Sequence, residues 1–198
     1  MKKGARTKQF IVSQAAPLFN MRGAAGTSVQ DIMEATQLAK GGLYGNFDTK
    51  EEILLASFEH MMGVIGERLR EVLGSAGGGA GAQLYALVEF YRAYALDPVI
   101  AGGCPILNFG VEADDMIPAL RERLAQQVLY YQGRIQEMAD EGVRTGEFRK
   151  GWDTRRFAVR MFALIEGGIL VARICQDKAQ MDVLMDMLKE EIAAQIIK

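Results

Sequence analysis

The sequence predicts an all-α protein in which a small N-terminal three-helix domain, residues 1–48, precedes a larger helical domain, residues 49–198. Three observations carry this prediction. Apolar residues recur at i, i+3 and i+4 through most of the chain, and no stretch alternates apolar and polar residues as a half-buried strand does. Glycine, proline and capping residues stand at the ends of these periodic segments. Charge divides the same way: residues 1–50 hold seven Lys/Arg against three Asp/Glu, which leaves −6 for the rest of a chain of net charge −2. With 49% apolar and 24% charged residues the balance is that of an ordinary globular protein with ample core.

Residues 1–8, with Lys2, Lys3, Arg6 and Lys8, read as a mobile basic arm. A first helix over about 6–22 is expected to bury Phe10, Ile11, Ala15, Leu18 and Phe19, to kink at Pro17 and to end at Gly23. Thr27 or Ser28 caps a second helix whose apolar face is Val29, Ile32 and Met33. After Thr36-Gln37-Leu38, residues 39–47 attach through Leu43, Tyr44 and Phe47 and turn Lys40, Gly41, Gly42, Gly45 and Asn46 outward. Two short helices around a tight turn, followed by a long one, make a helix-turn-helix. Its outer surface is small, polar and cationic, which suits the DNA major groove. Each glycine costs a helix about 1 kcal/mol against alanine, so the pair asks for a reason.

Thr49 with Glu52 three residues later opens a long helix whose buried stripe runs from Ile53 and Leu54 through Phe58, Met61, Met62, Ile65 and Leu69 to Val72 and Leu73. Residues 74–81 are glycine-rich but lack both the Lys-Ser/Thr ending of a P-loop and a preceding strand, so they read as a flexible link. A helix over about 82–97 stops at Asp97-Pro98, and Gly102-Gly103-Cys104-Pro105 opens another, with proline in its first turn. The longest periodic segment, about 117–145, carries Leu120, Leu124, Val128, Leu129, Tyr131, Ile135, Met138 and Val143. Two helices close the chain, at 153–176 and 180–197. Ala163, Gly167, Gly168 and Ala172 allow close packing against a second copy, and a two-fold pair of recognition helices reads two half-sites where one helix reads too few base pairs. A homodimer is expected.

Enzyme and membrane classes fit poorly. His60 is the sole histidine and has neither a cysteine nor a second histidine nearby, so no metal site and no catalytic base is expected, and no cofactor. Asp114-Asp115 and Glu190-Glu191 read as helix-start or surface charges. Two cysteines make no disulfide framework. Met1-Lys2-Lys3 leads into polar residues rather than an apolar run, and the most apolar region, 157–175, is interrupted by Arg160, Glu166 and Arg173. A cytoplasmic protein without a membrane partner is expected.

Residues 11–54 resemble the DNA-binding domain of the TetR/AcrR family of bacterial regulators. The resemblance rests on Ile11, Ala15, Ala16, Leu18 and Phe19; on Gly23; on Thr27-Ser28-Val29 with Asp31-Ile32; and on Lys40-Gly41-Gly42-Leu43-Tyr44, Phe47 and Thr49-Lys50-Glu51-Glu52. Gln37 stands where that family usually has a turn glycine, and Ala39 where it has a capping serine. The resemblance implies double-stranded operator DNA as a partner, with Lys40, Gly41, Gly42 and Tyr44 at the groove and Thr27, Ser28, Asn46 and Lys50 near phosphates. It also implies dimerisation through the last two helices and a small-molecule effector bound by the second domain.

The middle helices are rich in tyrosine, phenylalanine and methionine, which suit either an effector cavity or a plain core. The candidate effector residues are Met62, Tyr91, Tyr94, Cys104, Asn108, Phe109, Tyr131 and Met161. The run Gly103-Cys104-Pro105-Ile106-Leu107-Asn108-Phe109 with Glu112 resembles a subset of the family with a Gly-Cys-Pro motif. As a helix cap Cys104 would gain thiolate reactivity and sense an oxidant or electrophile; the alternative is a small buried hydrophobe. Cys175, in an apolar helix, is expected to be inert. The function expected is a transcriptional repressor released from its operator by a small effector or a reactive electrophile or oxidant. The alternative is a dimeric small-molecule-binding or redox-sensing protein that does not read DNA.

Overall fold

Helix boundaries follow the chain's own punctuation. In the computed structural model, which describes the backbone of residues 3–197 and the side chains of residues 4–113 and 117–197, α1 (Lys3–Arg22) ends where Gly23 takes φ +75°. The next elements are α2 (Val29–Thr36), α3 (Lys40–Tyr44), α4 (Lys50–Ser75) and α5 (Ala80–Tyr94). They are followed by α6 (Pro105–Met116), α7 (Pro118–Thr145), α8 (Thr154–Cys175) and α9 (Ala179–Gln195). Among the described residues there is no strand, only an isolated bridge between Phe148 and Ile196. Pro105 occupies the first turn of α6 and Cys104 its cap position, and the Asp153 carboxylate caps α8 by accepting from the Arg156 N–H at 3.0 Å.

The chain forms two compact units. The first combines residues up to 66 with 100–124, and the second combines 67–99 with 125–198. By its packing α6 therefore belongs with the helix-turn-helix. The core of the first unit is built from Ile11, Ala15 and Phe19 of α1, Ile32, Leu43, Ile53, Phe58 and Phe109, with the Phe58 and Phe109 rings edge-to-face at 6.1 Å. Two expectations are corrected here. The segment from Lys3 to Lys8 is helical rather than an arm, while Met1 and Lys2 lie outside the described residues. Phe10 is 44% exposed, because Ile11, Val12, Ala15, Ala16 and Phe19 define the inward face and Phe10 falls beyond its rim.

In the second unit α9 packs on α5 and α8. Leu84, Val88, Phe157, Met161, Ile165, Ile169, Met181, Met185, Leu188 and Ile192 are buried there. Gly168 faces Met181 and Leu184 so closely that a Cβ would collide with the Met181 sulfur, so Gly168 and the buried Ala172 serve packing within the chain, whereas Ala163 and Gly167 are exposed. Arg92 ties α5 to α9 through Asp182 at 3.0 Å and Asp186 at 2.6 Å. At the head of α5 the Glu147 carboxylate accepts from the Gly81 N–H at 3.0 Å. The glycine-rich link is shorter than the sequence suggested, since α4 runs through Ser75 and α5 begins at Ala80. On α7 Leu129 is 68% exposed; the inward stripe runs through Leu124, Ile135 and Met138, and Leu129 stands about 100° away from the Val128 position that continues it.

No helix among the described residues is long and apolar enough to cross a membrane, and no cluster of three or more His, Cys, Asp or Glu side chains there is grouped to hold a metal ion.

Candidate nucleic-acid interface

The helix-turn-helix is set by two caps and one strained residue. Ser28 and Asp31 form a capping box at the start of α2, and Arg22 pairs with Asp31 at 2.8 Å. Gln37 ends α2 in the left-handed region at φ +56°, as its place in the turn demands, with its side-chain amide donating to the Glu34 carbonyl at 2.6 Å. Ala39 then opens α3 in the extended conformation of a cap residue and offers no side-chain hydrogen bond. Leu43 is fully buried and Phe47 nearly so, and these two anchor α3.

What α3 leaves outside is compact. Lys40, Gly41 and Gly42 are exposed, and the Lys40 Nζ lies 5.9 Å from the centre of the half-buried Tyr44 ring, one turn on. A Cβ at Gly41 would meet nothing within 4 Å, and one at Gly42 would make ordinary contact with Leu38 at 3.6 Å. Neither glycine has a positive φ. The fold itself therefore demands glycine at neither place, and the surface they form is open to close approach from outside.

The residues expected at phosphates are largely engaged within the unit. Thr27 is fully buried and its hydroxyl donates to the Gly23 carbonyl at 2.8 Å. The Ser28 hydroxyl donates to Asp31 at 2.5 Å. Two protons of the Lys50 ammonium go to the carbonyls of Ala24 at 2.8 Å and Thr27 at 2.9 Å, and the Asn46 amide donates to the Gly42 carbonyl at 2.9 Å. These four side chains shape the turn before α2 and the end of α3. Lys8, by contrast, reaches from α1 to sit 5.1 Å above the Phe47 ring, beside the end of α3.

Sequence patterning missed the connections of α6. Asn20 and Asn108 are bonded to each other, and Glu112 accepts from the Ala24 N–H; both partnerships span 88 residues and leave no local signal.

The candidate effector residues divide between the units. Met62, Cys104, Asn108 and Phe109 lie in the first, where all but the half-buried Asn108 are buried. Tyr91, Tyr94, Tyr131 and Met161 lie in the second. Tyr91 and Tyr94 form an aromatic cluster with Phe90, and an open groove of about 670 Å³ is lined by Val72, Phe90, Tyr94 and Val99, with Arg68, Glu89 and Asp97 at its polar positions. Cys175 is exposed at the end of α8.

Two family models match the chain. The one described as bacterial regulatory proteins, tetR family, covers residues 11–57, and the one described as tetracyclin repressor-like, C-terminal domain, covers residues 80–188. The chain belongs to the TetR family. As a TetR-family protein it is a DNA-binding transcriptional regulator and not an enzyme. It is 26% identical over 194 residues to the HTH-type transcriptional repressor DhaR of Mycobacterium sp. strain GP1, covering 95% of this chain and 94% of that one. Two solved TetR-family regulators share its fold. The one from Cytophaga hutchinsonii has a TM-score of 0.93 at 34% identity, over 100% of this chain and 98% of that chain. The one from Chloroflexus aurantiacus has a TM-score of 0.92 at 36% identity, over 99% and 98%.

Proposed function

We propose that this regulator is a homodimeric repressor that reads double-stranded operator DNA with the outer face of α3 and is released by a small effector or by an electrophile or oxidant acting at Cys104. The carrying observation is the α3 surface: two glycines that the fold does not require, beside a lysine aligned with a tyrosine ring. Lys40 and Tyr44 contact the groove, and Gly41 and Gly42 let the DNA backbone or base edges approach. Thr27, fully buried, contributes by fixing the turn, and Ser28, Asn46 and Lys50 do so too and, through what remains of their hydrogen-bonding capacity, meet phosphates. The name of the relative DhaR, a repressor, supports the sign of regulation.

An exposed apolar face supports the dimer. Val159, Leu170 and Ile174 on α8, with Ala163 and Gly167 between them, and Val183 and Met187 on α9 are uncovered in the single chain. The division of labour follows residues 1–48 for DNA reading and 49–198 for effector response and dimerisation. Within the second part Met62, Tyr91, Tyr94, Asn108, Phe109, Tyr131 and Met161 are the effector residues, and the protein works in the cytoplasm. Cys104, buried at the cap position of α6, follows Gly103, whose carbonyl Asn20 binds at 2.9 Å.

The test is binding of the purified protein to the DNA upstream of its own gene and to duplexes selected from a random-sequence pool, at two salt concentrations. Wild type should select a two-fold sequence with an affinity that falls steeply with salt, and Lys40→Ala and Tyr44→Ala should weaken binding while the dimer persists. Unchanged affinity in both variants would remove α3 as the reading element. Salt-independent binding, or none, would favour the reading as an effector-binding dimer that does not read DNA.

A further inference from the structure

Asn108 and Glu112 stand one turn apart on one face of α6, and that face is bonded to the end of α1 and the turn that follows it. Asn20, 3% exposed near the end of α1, donates its amide to the carbonyls of Ala101 at 2.8 Å and Gly103 at 2.9 Å. The Asn108 amide donates to the Asn20 carbonyl and Oδ1, both at 3.0 Å, and to the Gly102 carbonyl at 2.9 Å. One turn further along, Glu112 Oε2 accepts from the Ala24 N–H at 2.6 Å and Oε1 from the Ala25 N–H at 3.4 Å. Gly23, whose own N–H is bonded to the Phe19 carbonyl, takes the left-handed conformation just before these two N–H groups, and a Cβ there would collide with the Glu112 carboxylate.

We propose that Glu112 is a positioning residue through which α6 sets the turn between α1 and α2, and with it the seating of α2 and α3 on DNA. The inference rests on the DNA-reading assignment above and adds the residue that regulates it. The turn is short and held from both sides: Glu112 takes its N–H groups, while Lys50 takes the Ala24 and Thr27 carbonyls immediately ahead of the Ser28 cap. A carboxylate bonded to N–H groups makes a charge-assisted contact that fails over a short distance, since such bonds are lost beyond about 3.5 Å. The asparagine pair anchors the start of α6 to α1, one turn before Glu112. A pocket of about 240 Å³ bordered by Glu112, Lys50, Leu54 and Ile117 leaves the carboxylate room to withdraw. Release of Glu112 then frees the turn without unfolding the unit.

The experiment compares wild type, Glu112→Ala and Glu112→Gln by amide hydrogen exchange and by affinity for a duplex that the wild type selects from a random-sequence pool. In Glu112→Ala, exchange over residues 23–27 should rise about tenfold and spread into residues 28–44, with residues 154–195 unchanged. Duplex affinity should fall by about tenfold, and Glu112→Gln, which keeps one acceptor oxygen, should recover part of both effects. Unchanged exchange over residues 23–44 overturns the proposal whatever the DNA result. Faster exchange with unchanged affinity overturns it as well, because the turn would then not govern seating. If the wild type selects no duplex, the DNA-reading assignment fails and the seating role falls with it, while the exchange data still show separately whether Glu112 holds the turn. Should Glu112→Ala lose its fold, Glu112→Gln carries both measurements alone.

Discussion

Ser28 and Asp31 hold each other across the first turn of α2: the Ser28 N–H donates to Asp31 Oδ2 at 2.7 Å, and the Asp31 N–H donates to Ser28 Oγ at 3.1 Å. The Ser28 hydroxyl and N–H, followed by Arg22, hold the Asp31 carboxyl below the usual aspartate range. A carboxyl with a depressed folded pKa contributes stability that is fully present above its unfolded value and is lost as pH falls through its folded value. Asp31→Asn should therefore be less stable than wild type at neutral pH, with the gap closing in the acid range below an ordinary aspartate pKa. Denaturant melts of both proteins across that range check this. A gap that does not change with pH would mean that Asp31 titrates as an ordinary carboxyl.

The turn between α2 and α3 carries two suboptimal residues. Gln37 at φ +56° bears a Cβ where glycine would be free of strain, and Ala39 has cap geometry without a capping oxygen. Ala39→Ser should stabilise the protein by about 1 kcal/mol. Gln37→Gly should stabilise by less, about 0.5 kcal/mol, because relief of left-handed strain is partly offset by the freedom glycine gains when unfolded. Unfolding midpoints measure both, and a fall in stability for Ala39→Ser would contradict the cap assignment.

Gly41→Ala separates folding from function. With nothing within 4 Å of the added Cβ, the substitution should raise stability by about 0.5–1 kcal/mol through helix propensity. The same methyl stands where DNA is proposed to approach, so duplex affinity should fall by about tenfold, on the order of a lost close contact. Higher stability with full affinity would show that the Gly41 surface does not face the groove.

Arg92, with its side chain 16% exposed, binds Asp182 and Asp186 across to α9 and Glu89 on its own helix. Desolvation opposes its charge, but hydrogen bonds to Asp186 and Asp182 together with the attraction of Glu89 and Asp186 outweigh it and raise its pKa. Arg92→Ala leaves these partly exposed carboxylates without their shared cation and should cost about 1 kcal/mol. Arg92→Met should recover the part that comes from packing of the aliphatic stem. Equal losses in the two variants would assign the whole effect to charge.

The helices and most of their ends were legible because their signals are local: Gly23 at the end of α1, a hydroxyl cap at Thr27 or Ser28, which the structure resolves to Ser28, and Pro105 in the first turn of α6 all act within a few residues. The start of α1 was not, since Lys2 and Lys3 carry no capping signal. Phe10 and Leu129 were misplaced because each adjoins residues that belong to the inward stripe, and on a helix one position means a rotation of about 100°. At the candidate site, Lys40, Gly41 and Gly42 were readable as an outer surface because they are consecutive, whereas the pattern assigned Tyr44 to attachment and the structure leaves its ring half-buried. The internal bonds of Thr27 and Lys50 were not readable, since the groups that suit a phosphate also suit a backbone carbonyl.

Glu147 at the head of α5 constrains how this sequence can change. Its carboxylate lies where a Cβ at Gly79 or Gly81 would go, so alanine at either glycine must push it aside and weaken its bond to the Gly81 N–H. Once Glu147 has been replaced by a shorter residue, that bond is already lost and the same alanine meets no obstruction from it. The order of substitution therefore changes its effect: glycine first costs the Glu147 bond to the Gly81 N–H, and glycine second costs no such bond. Along a lineage, these positions therefore change more freely once Glu147 has gone, a contingency that would show as non-additive effects in the double substitution Gly81→Ala with Glu147→Ala.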